Sequence, residues 1–149
     1  LTRQKVPFLR TDEGRENFSA RGAYVLSPAI GTALAVLLAS GSEVALAIEA
    51  QKILAVKSIP VSVVSVPCME LFEAQPNDYK NEVLGSDIIR VAVEAGVSVG
   101  WEHLIGPKGA FVGMSSFGAS APSDQLYEHF GITADAIAGA VRERLLSSL

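Results

Sequence analysis

Apolar positions in this chain fall into two kinds of stretch, short unbroken runs and longer segments with a helical repeat. Ala33 to Ala39 is a run of the first kind, and it breaks at Ser40-Gly41-Ser42. Immediately afterwards Val44, Ala47, Ile48 and Leu54 mark one helix face, with Leu46, Ala50 and Ile53 widening it and Glu49 and Lys52 on the wet side. A buried parallel strand hands over to its crossover helix in this way. Ile59 to Val66, a β-branched run that stops at Pro67, completes a βαβ unit. Upstream, Gly22 to Leu26 predicts a short strand. The loop that follows is too short for a crossover helix, so this strand should pair antiparallel with its successor or a near neighbour.

Beyond Pro67 the pattern predicts a short helix from Cys68 to Glu73, then a turn at Pro76-Asn77-Asp78 into a second helical piece from Tyr79 to Val83 or Leu84. Ile88 to Ala95 is the next strand. Gly96 to Gly109 reads as a loop with one helical turn, and Ala110 to Ser115 as a last strand. A helix from Ser123 to Phe130 stops at Gly131. Thr133 then caps a final helix with Ala134, Ile137, Ala138, Val141 and Leu145 on its apolar face. This order predicts an α/β fold: a three-layer α/β/α sandwich around a mixed sheet of about five strands, mostly parallel with one antiparallel edge strand. Strand ends near Gly41, Pro67 and Glu94 should meet on one rim. Residues 1–21 carry Pro7, Gly14 and mixed charge without periodicity, which reads as the end of a preceding domain and an interdomain linker. Residues 22–149 form the domain. A start at Leu1 reads as the tail of a longer protein.

Composition narrows the class. Hydrophobic residues at 49% and charged residues at 19% exclude a disordered chain, and 149 residues suit one domain. A net charge of −4, with 12 scattered Lys and Arg, argues against a nucleic-acid surface. The longest apolar run is far shorter than the ~20 residues a membrane helix needs. One cysteine cannot make an internal disulfide framework, and no charged-then-apolar leader opens the chain, so the cytoplasm is the expected compartment.

The candidate chemistry is sparse. Ser40-Gly41-Ser42 would aim open helix N–H groups at the sheet's ligand-binding edge, a plausible anion site. The simpler reading, and the favoured one because short Ser/Gly turns open many helices, makes Ser42 an N-cap with Glu43 in the first turn. Glu43, Glu70 and Glu94 are acid–base candidates on that rim; capping for Glu43 and solvent or partner pairing for the others is the simpler reading. Cys68 stands at a helix start, where a thiol pKa can fall, although free cysteine is more often an inert core residue. His103 and His129 fit no metal motif, and no GxGxxG, GxxxxGK or GxSxG frame is present. Trp101 and Phe117 read as core or interface anchors. No complete catalytic set emerges.

Seven stretches in order nevertheless resemble the C-terminal domain of transketolases. They are Leu1-Thr2-Arg3-Gln4-Lys5-Val6-Pro7, Gly22-Ala23-Tyr24-Val25-Leu26, Ala39-Ser40-Gly41-Ser42-Glu43-Val44, Val63-Val64-Ser65-Val66-Pro67-Cys68-Met69-Glu70-Leu71-Phe72, Val91-Ala92-Val93-Glu94-Ala95-Gly96, Gly100-Trp101 and Phe117-Gly118-Ala119-Ser120-Ala121-Pro122. The resemblance implies a thiamine diphosphate enzyme, a homodimer that moves a two-carbon ketol unit from a ketose phosphate to an aldose phosphate. It further implies that upstream domains hold the cofactor and Mg2+, that this domain binds neither, and that it is inactive alone. Within Thr2-Arg3-Gln4 it implies a phosphate-binding role for Arg3, whose planar fork suits phosphate oxygens. Cys68 departs from the residue types expected after that proline. Related alternatives are the last domain of a ketoacid dehydrogenase or a deoxyxylulose phosphate synthase. A free-standing anion-binding module or a dimerisation module are readings of another class.

Overall fold

The computed structural model describes residues 4–10 and 16–148. Five strands form one sheet: β1 (Tyr24–Ser27), β2 (Ala35–Ala39), β3 (Val61–Ser65), β4 (Ile89–Val93) and β5 (Ala110–Val112). Six helices accompany them: α1 (Glu43–Val56), α2 (Met69–Glu73), α3 (Asn77–Leu84), α4 (Glu102–Ile105), α5 (Ser123–His129) and α6 (Ala134–Leu146). A 3-10 turn, Phe18–Arg21, precedes β1.

The strand order is β1-β3-β2-β4-β5, with β2 at the centre. β2, β3, β4 and β5 are mutually parallel, and β1 runs antiparallel on the edge. The expected mixed sheet with one antiparallel edge is therefore present. β1 skips its successor and pairs with β3, because both edges of β2 are taken by the parallel partners β3 and β4.

All five residues of β2 are buried, as a strand covered on both faces requires. Its alternate side chains feed two cores. Ala35, Leu37 and Ala39 pack with Val44, Ala47 and Leu54 of α1 and with Ile137 and Val141 of α6. Val36 and Leu38 face the other way, towards Phe72 of α2, Val83 of α3 and Leu104 of α4, with Trp101 fully buried among them. Two cores on opposite faces of one sheet make the three layers. Each large aliphatic side chain buried there contributes roughly 1.5–3 kcal/mol.

Most element ends fall within two residues of the sequence reading, and three of the boundaries that differ are instructive. β1 begins at Tyr24 because Gly22 takes φ +84°, outside the extended region. α3 starts at Asn77, since extended Pro76 precedes it and Asp78 suits the positive helix end. β5 stops at Val112, short of the expected Ser115, and a side chain on the next residue, Gly113, would strike the Phe111 ring.

Candidate functional site

In-register pairing sets Ala39 of β2 beside Ser65 of β3 and Val93 of β4, so three strand ends share one level. That is the expected rim. Ser40-Gly41-Ser42 makes the turn from β2 into α1, with Gly41 at φ +53° and the Glu43 amide donating to the Ser40 carbonyl at 3.2 Å.

One expectation at this turn is corrected. Ser42 is not a side-chain N-cap: it has helical dihedrals, φ −67° and ψ −28°, from which its hydroxyl makes no bond to the first helical amides. Instead Ser42 Oγ donates to Glu43 Oε1 at 2.9 Å. Glu43 does stand in the first turn of α1, as expected. It is 5% exposed, and among the described residues it stands out as the charged side chain in the core. The Tyr127 hydroxyl, arriving from α5, donates to the same Glu43 oxygen and lies 3.3 Å from Ser42 Oγ. Burial, then the Glu43 carboxylate, push the Tyr127 hydroxyl above the ordinary tyrosine range, so it remains a protonated donor. Gln4 Nε2 donates in turn to Tyr127 Oη at 3.4 Å. The result is a chain of donors running Gln4 to Tyr127 to Glu43, with Ser42 joining at the carboxylate.

This arrangement binds segments together and leaves no free nucleophile. A carboxylate on the first residue of α1, bonded to Ser42 Oγ, would oppose a phosphate at Ser40-Gly41-Ser42 by like charge. Val6 to Arg10 line a groove of about 330 Å3 with Tyr24, Leu26, Gly41, Ser42, Val44, Ala45, Ser65 and Pro67, so residues 6–10 run across the rim. A second cavity, about 560 Å3, lies near Ser27, Gln51, Lys52 and Pro60, where β3 begins and away from the rim.

The remaining candidates do not converge. Glu94 accepts from Trp101 Nε1, and Glu70 accepts from the Cys68 thiol at 3.3 Å. Its own backbone amide and then that thiol hold the Glu70 carboxyl below the usual range. Partner pairing thus holds for both, and the shared acid–base rim does not form. Cys68 is half-buried rather than a core thiol, since it stands beside exposed Pro67 at the start of α2. His103 Nε2 pairs with Glu73 Oε1 at 2.5 Å, and the His129 ring packs edge-on against Phe130. Trp101 is a core anchor, whereas Phe117 is 99% exposed. Arg3 lies outside the described residues. Sequence reasoning missed Tyr127 as the partner of Glu43; no local spacing links positions 84 apart.

The donor set does not fit thiamine diphosphate with a metal ion. Among the described residues no three His, Cys, Asp or Glu side chains group to hold one, and the rim's helix start already carries a carboxylate. No helix among the described residues is long and apolar enough to cross a membrane.

Comparison with known proteins gives a consistent answer. The family model for the transketolase-like TK C-terminal domain matches residues 22–133. A transketolase from Sinorhizobium medicae is 51% identical over 146 residues, covering 97% of this chain and 21% of that protein. The transketolase structure from Leishmania mexicana superposes with a TM-score of 0.77 at 47% identity, over 83% of this chain and 18% of that one. A Pichia stipitis transketolase in complex with sedoheptulose-7-phosphate gives 0.77 at 29% identity, over 86% of this chain and 18% of that one. The chain therefore spans about a fifth of the length of the curated relatives it matches. Its sheet order, its two-sided core and these matches together place the chain in the transketolase family, as a transketolase-like C-terminal domain.

Proposed function

We propose that this chain works as the C-terminal domain of a transketolase that transfers a two-carbon ketol unit from a ketose phosphate to an aldose phosphate. Upstream domains hold thiamine diphosphate and Mg2+; residues 1–21 close the preceding domain and link it to residues 22–149. The working enzyme is a cytoplasmic homodimer, and Arg3 grips the substrate phosphate. The observation that carries this reading is the near-complete coverage of the chain by transketolases, at 51% identity for the Sinorhizobium medicae protein. The Pichia stipitis neighbour's complex with sedoheptulose-7-phosphate supports a sugar phosphate as the ligand class.

For the rim at Ser40, Gly41 and Ser42 we favour a role in holding the linker over a role in binding an anion, because Glu43 places a negative charge there. Calorimetry with inorganic phosphate checks this choice: saturable heat lost in a Ser42→Ala variant would restore the anion site.

The main test is a coupled ketol-transfer assay on the full-length enzyme, wild type beside Arg3→Ala, with phosphorylated and unphosphorylated acceptors. Loss of a charged, bidentate phosphate contact is expected to raise KM for the phosphorylated acceptor by about 10- to 100-fold. Equal effects on both acceptors would remove Arg3 from the phosphate site. Absence of ketol transfer in the wild type would overturn the activity itself.

A further inference from the structure

We propose that the cavity at the other end of the sheet from the rim binds a small amphipathic carboxylate, a hydrocarbon chain of about eight carbons whose charged head meets Lys52.

At about 560 Å3 the cavity has the size of a small-molecule site. Ile30, Ala55, Ile59, Pro60 and Val61 give it an apolar wall, and Ile30 is 93% exposed. Covering that wall removes apolar surface from water. Its frame is fixed by Gln51 of α1. Gln51 Nε2 donates to the carbonyls of Ser27 at 3.3 Å, Pro28 at 3.4 Å and Val61 at 2.8 Å, and Gln51 Oε1 accepts from Ser27 Oγ at 2.8 Å. These bonds tie α1 to the end of β1 and the start of β3, so the space is formed before a ligand arrives. They also occupy the Gln51 amide, which leaves ligand recognition to other groups.

Two lining residues supply such groups. Neither the Lys52 ammonium nor the Ser58 hydroxyl has a hydrogen bond or ion pair among the described residues. No acidic side chain among the described residues lines the cavity, so Lys52 sets its charge. Lys52 and Ala55, three apart on α1, share one helix face. A cation beside an apolar wall complements a carboxylate on a hydrocarbon chain. A bare phosphate would leave the wall uncovered, and a neutral lipid would leave the charge unanswered.

Ser58 is an unexpected residue for its place. α1 ends in a Schellman motif: the Ser58 amide donates to the Ala55 carbonyl at 2.9 Å and the Ile59 amide to the Leu54 carbonyl at 3.0 Å. That motif needs a left-handed residue, and Ser58 takes φ +58°, where glycine is the least costly choice. The helix end uses only backbone bonds, so serine brings it nothing. What serine adds is a hydroxyl on a residue that lines the cavity. The 14 residues of α1 separate this end from the rim by roughly 20 Å, so a ligand here leaves the rim open.

The test is a ligand-observed NMR titration of the full-length protein with octanoate and, separately, octanol, each to about 10 mM. Octanoate is expected to saturate with a Kd of about 0.1–2 mM. Lys52→Met keeps the aliphatic stem and should weaken octanoate about three- to fivefold while moving octanol by less than about twofold. Ala55→Trp sits on an exposed part of α1, fills the cavity and should weaken both ligands by more than about tenfold. Ser58→Gly keeps the left-handed turn, so the thermal midpoint should hold or rise while octanoate binds about two- to threefold more weakly.

Failure of octanoate to saturate overturns the site. Binding that Ala55→Trp leaves unchanged also overturns it, because the ligand then sits elsewhere. If Lys52→Met affects octanoate and octanol alike, the charge pairing is wrong and the carboxylate assignment falls. If octanoate does not bind and Ala55→Trp alters the sedimentation coefficient, the apolar wall is a protein contact instead. Every titration is read without turnover, so these outcomes are separate from the fate of the ketol-transfer reading.

Discussion

At Gly22 the backbone takes φ +84°, and an added Cβ would lie 2.2 Å from the Phe72 amide nitrogen and 2.4 Å from the Cys68 carbonyl oxygen. Both are backbone atoms, so neither can swing aside. The Gly22 carbonyl also accepts from the Cys68 amide at 3.0 Å, fastening the entry to β1 onto the start of α2. Gly22→Ala is therefore expected to cost about 2–5 kcal/mol, from backbone strain and overpacking together. A denaturant midpoint unchanged by the substitution would show that α2 moves away freely. Gly22 was legible only as the opening of a strand, because its crowding comes from residues almost 50 positions later. The burial of Glu43 was hidden in the same way, because it depends on Tyr127 arriving from α5. Thr133 and Gly131 were readable because caps are local. Thr133 Oγ1 accepts from the Ala136 amide at 3.2 Å, and Gly131 takes φ +68° just past Phe130, the C-cap of α5.

Elements were legible where one periodicity ran for several turns, as in α1 and α6, and where β-branched runs ended at punctuation, as in β3. What the pattern could not supply was the fastening between short elements. α3 and α4 have eight and four residues, too few to stand alone, and Arg90 of β4 joins them. Its guanidinium donates to the carbonyls of Leu84 at 3.1 Å, Gly85 at 2.6 Å and Leu104 at 3.2 Å, close to where both helices end. Burial draws its pKa below the ordinary arginine value, yet three carbonyl acceptors and the negative helix ends suit the charged form. Arg90→Met leaves those carbonyls without their donor and is expected to cost about 2–3 kcal/mol after allowance for partial exposure. Thermal unfolding should report a midpoint lower by about 4–12 °C. Arg90→Lys should recover less than half of this, since an ammonium lacks the planar fork. Full recovery by lysine would make charge alone the fastener.

Across the whole molecule, two tyrosines link distant parts, and both are displaced in the same direction. Burial raises the pKa of Tyr79, whose hydroxyl donates to the Ala23 carbonyl at 2.8 Å, and burial with Glu43 raises that of Tyr127. Below the ordinary tyrosine value near 10 both folded and unfolded chains hold these protons, and the stabilisation is complete. Above it the unfolded chain releases protons that the folded one keeps, so stability should fall as pH rises through the folded values. Unfolding midpoints between pH 9 and 12 should decline, and less steeply in Tyr127→Phe; a flat profile in the wild type would contradict the burial of both hydroxyls. The central position of β2 bears on how the chain is made. Both strands that flank it come later in sequence, and the second ends at Val93, 54 residues beyond Ala39. At about 5–20 residues per second, the all-apolar β2 emerges from the ribosome with an unpaired edge for roughly 3–11 s before β4 closes it. During that interval the growing chain presents a sticky strand to its surroundings, which makes the pace of translation between Ala39 and Val93 a determinant of how much protein escapes aggregation.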